Sequence, residues 1–329
     1  MSVKMFACDK IRSLFPDSVA NSLVNLQSLD ISACKMLKEV VSMDARENEV
    51  TMLEFPKLKY VKLINVCSFK SFTSQSNSRV VQQTLFNQVN FPSMEELNFY
   101  RLDCIEKLLG KEMPITSLHK LKSMSALYCS KLLAIAESDS IQLLQNLEYL
   151  EVYECTALEV LFDFEGIKVT NDDAKINVLG RLTSLSLYSL TNLVHITRMV
   201  SKRISVFQNL TKLNVSHCRS LIYLFLPSMV NSLVALNFLE VWDCDSIEEI
   251  IGKEEEEEGT SEGMKTRIVF PNMKHLVLEN LCNIQMFCSQ NYELAFPSLE
   301  NLTIERCPEM KKMSPRPLSA PKLSEHTRE

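Results

Sequence analysis

Glycine is scarce in this 329-residue chain: there are six, and none falls in a G-x-x-x-x-G-K-[S/T] or G-x-G-x-x-G spacing. Both motifs need glycine because backbone N–H groups must approach a phosphate closely, so neither nucleotide-binding signature is present. Histidine is sparse as well, at 119, 195, 217, 275 and 326, with no His-x-x-x-His and no Cys-x-x-Cys. No zinc site and no cofactor are expected from such spacings. A one-signed field is also missing. The net charge is −6, and five of the acids sit in one run, Glu254–Glu258, which leaves the remainder close to neutral. A nucleic-acid partner is not expected, because phosphate binding needs a basic stripe. No apolar leader is visible at the N-terminus, so no secretory signal is expected. Residues 221–239 carry no charge, and that length is enough for a membrane span. Pro227, Asn231, Ser232 and Asn237 interrupt the run, and the periodicity described next accounts for its apolar positions. It reads as core, with no membrane span.

What the chain does have is a repeat. The clearest copy is Leu147-x-x-Leu150-x-Val152-x-x-Cys155-x-x-Leu158-x-x-Leu161, which matches the template L-x-x-L-x-L-x-x-N/C-x-L of leucine-rich repeats. Ten full copies begin at Leu23, Phe55, Phe91, Leu118, Leu144, Leu179, Phe207, Leu233, Phe270 and Phe296, spaced 26 to 37 residues apart. An eleventh, partial copy runs from Val3 to Leu14. In each copy the alternating apolar pair predicts a short parallel strand with both side chains turned inward. The expected fold is an α/β solenoid: a leucine-rich-repeat horseshoe with a concave parallel sheet of about 11 short strands. Its convex side is expected to be irregular or short-helical. Phe-Pro opens four copies, at Phe55, Phe91, Phe270 and Phe296. There proline sets the turn into the next ascent and phenylalanine fills the space between layers.

From Leu118 onward a three-turn block recurs every 89 to 91 residues, with Cys, Cys and Leu in one slot. Tandem duplication of that block explains why Leu147–Cys155 and Leu236–Cys244 read alike. The expected solenoid covers residues 1–313, with inserted loops at 42–54, 71–90, 163–178 and 252–269. The acidic run falls in the last of these and reads as a solvated loop. A basic, proline-containing tail, 314–329, is expected to be unfolded. Because the chain begins inside a strand, with no polar cap over the terminal layer, we expect a fragment of a longer protein.

Eleven cysteines are an odd count, which speaks against a disulfide framework. Seven of them, Cys8, Cys34, Cys129, Cys155, Cys218, Cys244 and Cys307, hold one slot of the repeat. One per turn predicts a buried ladder of thiols, each a small apolar filler with a weak donor. That chemistry suits a reducing, cytoplasmic setting. His217 precedes Cys218, but neighbours along a strand face opposite ways, so no nucleophilic dyad is expected and the chain reads as non-enzymatic.

Function is therefore expected on the sheet's concave surface, on the order of 50 Å across at about 4.8 Å per strand. The column just past the second core residue reads Ser32, Ile64, Tyr100, Leu127, Tyr153, Tyr188, Ser216, Trp242, Glu279 and Glu305. Tyr149 and Phe238 stand in a parallel column, Glu151 and Glu240 in the central one, and Asp243 beside Trp242. Tyr and Trp are favoured as interface anchors, and the acids around them suit a basic patch on a protein partner.

The form L-x-x-L-x-[L/V/I]-x-x-[C/L]-x-x-L, with Phe-Pro restarts and a Glu-rich insertion, is seen at 147–162, 210–225, 236–251 and 296–307. It resembles the C-terminal leucine-rich-repeat region of plant nucleotide-binding disease-resistance proteins of the coiled-coil class. That resemblance implies a surface that senses a pathogen effector or a guarded host protein. It also implies one that restrains the nucleotide-binding domain of the same or another receptor. Neither the coiled coil nor the nucleotide-binding domain is in this chain, so ATP switching is not implied. The alternative is the substrate-binding repeats of an F-box ubiquitin-ligase receptor, which place cysteine in the same slot but favour more regular spacing.

Overall fold

The computed structural model describes residues 1–20, 22–42, 52–73, 83–167, 176–198, 203–253 and 267–323. The acidic run Glu254–Glu258, the parts 43–51, 74–82, 168–175 and 254–266 of the four expected inserts, and the end of the tail, 324–329, lie outside the described residues. The chain divides into two compact units, Met1–Ile167 and Lys168–Glu329.

The first unit carries six five-residue strands in one parallel sheet, ordered as in the sequence: Ser2–Phe6, Ser28–Ser32, Tyr60–Ile64, Glu96–Tyr100, Ser123–Leu127 and Tyr149–Tyr153. The second carries five: Ser184–Tyr188, Lys212–Ser216, Phe238–Trp242, His275–Glu279 and Asn301–Glu305. Each strand is centred on the apolar-x-apolar pair of its repeat. Val152, Val215 and Val241 are completely buried, as a period of two with one apolar face requires.

The two apolar-x-x-apolar spacings of each repeat are turns. Before the strand, Leu58 N–H donates to Phe55 O at 3.2 Å, Leu147 to Leu144 at 3.0 Å and Leu299 to Phe296 at 3.2 Å. After it, Leu37 N–H donates to Cys34 O at 3.2 Å and Leu158 to Cys155 at 3.2 Å. A turn closed between residues three apart places both end side chains on the same, inward side, which is why leucine recurs there. In the Phe-Pro copies proline takes the second position of such a turn, where its fixed φ fits and its missing N–H costs nothing.

The phenylalanines of these turns stack between layers. In the first unit Phe55 and Phe91 lie 5.6 Å apart, and Phe72 and Phe86 meet Phe91 edge-on at 5.2 and 5.1 Å. In the second, Phe270 and Phe296 are parallel at 5.2 Å, with Phe287 across both. All seven rings are buried.

The return side differs from the expectation of irregular and short-helical structure by carrying short parallel strands. Ser13–Pro16, Glu39–Ser42 and Ser71–Thr73 form one set, Thr84–Phe86 and Lys107–Leu109 another. Ile176–Val178 with Ile204–Val206, and Arg267–Val269 with Glu293–Ala295, do the same in the second unit. Residues such as Val40, Val41, Phe72 and Ile204 favour extended backbone. The helices described are two of four residues, Asp17–Ala20 and Pro227–Val230, with 3-10 turns at Leu23–Asn25 and Ile141–Leu144. Among the described residues no helix is long and apolar enough to cross a membrane. Past the last strand, Phe287 N–H donates to Met313 O at 2.9 Å and Phe296 N–H to Ser319 O at 2.8 Å, so the chain stays paired to the last repeat as far as Ser319.

Candidate protein-binding surface

Each main strand ends in the same local event. The next residue takes a positive φ, between 49° and 59° at Ala7, Ala33, Asn65, Arg101, Tyr128 and Glu154 in the first unit and at Ser189, His217, Asp243, Asn280 and Arg306 in the second. Its N–H is spent on the neighbouring turn: Asn65 N–H donates to Tyr100 O at 2.9 Å, and Tyr128 N–H to Tyr153 O at 2.7 Å. That bend swings the following slot residue into the core. Cys34, Cys129, Cys155, Cys218 and Cys244 are buried there, while Cys8 and Cys307, at the outer repeats, are partly exposed. Each thiol donates back to the carbonyl two residues earlier, as Cys34 does to Ser32 O at 3.4 Å and Cys244 to Trp242 O at 3.4 Å. The hydrogen bond to Cys129, with burial, holds the Cys155 thiol far above its ordinary range, and Cys218 with burial does the same to Cys244.

The open face of the first unit brings part of the expected site together. Tyr100, Leu127 and Tyr153 stand side by side in register. The sequence columns missed Tyr128. It follows its strand rather than lying on it, and its ring lies 5.0 Å from Tyr100 on one side and 5.0 Å from Tyr153 on the other. The Arg101 guanidinium, also at a left-handed position, sits 5.6 and 5.7 Å from the rings of Tyr100 and Tyr128, a cation–π arrangement. Hydrogen bonds with Tyr128 and then Glu154 push the Tyr153 phenol up to about 12. Tyr149, 53% exposed, stands at the opposite end of its strand, beside Ser123. Glu151 lies between them, beside Ser125.

In the second unit Tyr188 and Trp242 flank Ser216 from its two sides. Asn214 is 6% and Ser216 1% exposed, and the Asn214 amide donates to the Tyr188 hydroxyl at 3.4 Å. The other residue missed is His217, whose ring meets Trp242 at 4.6 Å and whose Nδ1 lies 3.2 Å from Asp243 Oδ2. Asp243 also accepts from the Asn280 side chain. Phe238 packs against His275 at 5.9 Å and carries the Lys212 ammonium 5.1 Å above its ring. Glu240 stands beside Asn214 and Val277 in register.

No nucleophilic pairing forms between His217 and Cys218. The imidazole is turned to Asp243, and the Cys218 thiol to Ser216 O at 3.4 Å inside the core. Among the described residues no group of three or more His, Cys, Asp or Glu side chains is placed to hold a metal ion.

Strands, closing turns, inward leucines and a slot residue repeated in every copy define a leucine-rich-repeat solenoid. The model for plant disease resistance protein RPS2-like leucine-rich repeats matches residues 1–98, 93–245 and 229–320, and the chain belongs to that family. Among solved structures it is similar to the leucine-rich repeat domain of the type III effector XopL, at 18% identity over 70% of this chain and 75% of that one, with a TM-score of 0.36. The chain is thus a repeat module of the kind that mediates protein–protein interaction.

Proposed function

We propose that this chain is a protein-recognition module of plant defence. In this reading its open sheet face senses a pathogen effector or a guarded host protein, and it also restrains a nucleotide-binding domain of its own or another receptor. The observation that carries the reading is the set of aromatic rings on each unit's open face, Tyr100, Tyr128 and Tyr153 in the first and, separately, Tyr188 and Trp242 in the second, within a chain matched by the resistance-protein repeats almost from end to end. Large rings held in place by their neighbours lose little entropy on binding, which suits them as anchors. The work of such a module is binding, in an intracellular setting where its buried ladder thiols stay reduced.

The test is proximity labelling in plant tissue with the wild-type chain and with Tyr128→Ala/Tyr153→Ala and Trp242→Ala variants as baits. Nucleotide-binding receptors or other defence proteins should be enriched by the wild type and lost with the variants, with far-UV spectra and melting unchanged. Equal recovery by folded variants would remove the rings from the interface. Enrichment of ubiquitin-ligase adaptors instead would replace the defence role itself.

A further inference from the structure

Four thiols stand outside both the ladder and the aromatic rings: Cys67, Cys104, Cys282 and Cys288. Cys67 is exposed and Cys104 partly exposed, on consecutive turns of the first unit. The strands that precede them pair Ile64 with Tyr100, and Asn65 N–H then donates to Tyr100 O at 2.9 Å. Continuing that register sets Cys67 opposite Asp103, with Cys104 one position further. A spacing of about 4.8 Å between neighbouring chains combined with a rise of about 3.3 Å puts such a diagonal pair on the order of 6 Å apart, within the Cα separation of roughly 4.4–6.8 Å that a disulfide spans.

The side chains point the right way. Cys104 Sγ lies 3.0 Å from the Cys67 carbonyl oxygen, and so reaches across the gap to its neighbour's backbone. In return the Asp103 carboxylate, of the residue preceding Cys104, acts on the Cys67 thiol and raises it. Both sulfurs therefore occupy the space between the same two turns. The ladder thiols also reach their neighbours, as Cys155 does to Ala126 O at 3.4 Å, but Cys34, Cys129, Cys155, Cys218 and Cys244 are buried beneath the sheet, whereas Cys67 and Cys104 are open to an oxidant. Cys307, beside exposed Cys282, turns its sulfur inward, to Glu305 O at 3.3 Å and Leu278 O at 3.7 Å.

We propose that Cys67 and Cys104 form a reversible disulfide under peroxide, stapling two successive turns of the solenoid. One thiolate attacks hydrogen peroxide, its sulfur taking one oxygen as a sulfenic acid while the other oxygen leaves as hydroxide and is protonated to water. The second thiolate attacks the sulfenic sulfur, the S–S bond forms, and a second water leaves. Two electrons pass from the sulfurs to the peroxide. A dithiol reductant reverses the reaction by exchange. The proposal does not depend on the recognition reading, since neither cysteine is among the aromatic anchors.

The experiment uses the reduced full-length chain treated with a small excess of hydrogen peroxide, then denatured and labelled with a maleimide. The eleven labels of the reduced chain should fall to nine. Trypsin should release one cross-linked species joining residues 63–70 to 102–107, and dithiothreitol should restore all labels. Neither Cys67→Ser nor Cys104→Ser should yield an internal link. Eleven remaining labels, sulfinic acid at either position, or a link between two chains in place of the internal one would each overturn the proposal.

Discussion

Tyr128 and Tyr153 pack with ring centroids 5.0 Å apart and planes tilted by 55°, although one follows its strand and the other ends the next strand. The contact exists because Tyr128 has φ 59° and donates its N–H to Tyr153 O at 2.7 Å. Backbone and ring are thus held by the same neighbour. Because a hydrogen bond with Tyr128 is the largest influence raising the Tyr153 phenol to about 12, Tyr128→Phe should bring Tyr153 down towards the ordinary value of about 10. Phenolate absorbance during an alkaline titration reads this directly. A Tyr153 midpoint indifferent to the substitution would mean that Tyr128 does not hold the phenol protonated.

The Phe91 ring touches Phe55, Phe72 and Phe86 and is wholly buried. Phe91→Ala removes those contacts and opens a cavity, a loss of about 3–5 kcal/mol for this class of substitution. Urea unfolding followed by far-UV circular dichroism should show the midpoint falling accordingly, with Phe91→Leu much milder. A loss below about 1 kcal/mol would show that the layer collapses around the gap.

Ala33 follows its strand at φ 56° and donates its N–H to Ile64 O at 2.8 Å. A β-branched residue is strained there, so Ala33→Val should cost roughly 1–3 kcal/mol. Ala33→Gly relieves the backbone but frees the unfolded chain, and should stay within about 1 kcal/mol of the parent. Equal stabilities for the valine and glycine variants would contradict the left-handed geometry.

Native-state alkylation separates the thiols. Cys67 and Cys282 are exposed, whereas Cys34, Cys129, Cys155, Cys218 and Cys244 are buried. Iodoacetamide at mildly alkaline pH should label the first two and leave those five until denaturant is added. Burial and then the Asp103 carboxylate raise the Cys67 thiol. Its labelling should therefore be slow at neutral pH and accelerate as pH rises, because only the thiolate reacts. Peptide mass mapping at several pH values checks both statements. Rapid modification of Cys155 in the folded chain would contradict the buried ladder.

Much of the candidate surface was legible before any coordinates. Counting past each apolar pair places Tyr100, Leu127 and Tyr153 in one column, and the strands bring them side by side in that order. Tyr128 and His217 escaped because nothing in their residue type marks a left-handed position. That place is filled by Ala, Asn, Arg, Tyr, Glu, Ser, His and Asp, never by glycine. The conformation recurs past every main strand described, whatever the residue, so residue preference has little say in it. A signal existed all the same: the residue just past every strand occupies one more column, which the same counting would have exposed.

The spacing of apolar residues by itself determined which side chains are buried, where the turns close and which residues form the strands. These follow from periods of two and three along one copy and need no knowledge of its neighbours. Tertiary structure decided what the exposed side chains touch. Tyr100, Tyr128 and Tyr153 lie 25 or more residues apart in sequence, and their packing depends on the few ångströms separating stacked turns. The pairing of His217 with Asp243, and the approach of Cys104 to Cys67, are set by that same closeness between turns. No single repeat carries that distance, because it arises only when one turn packs on the next.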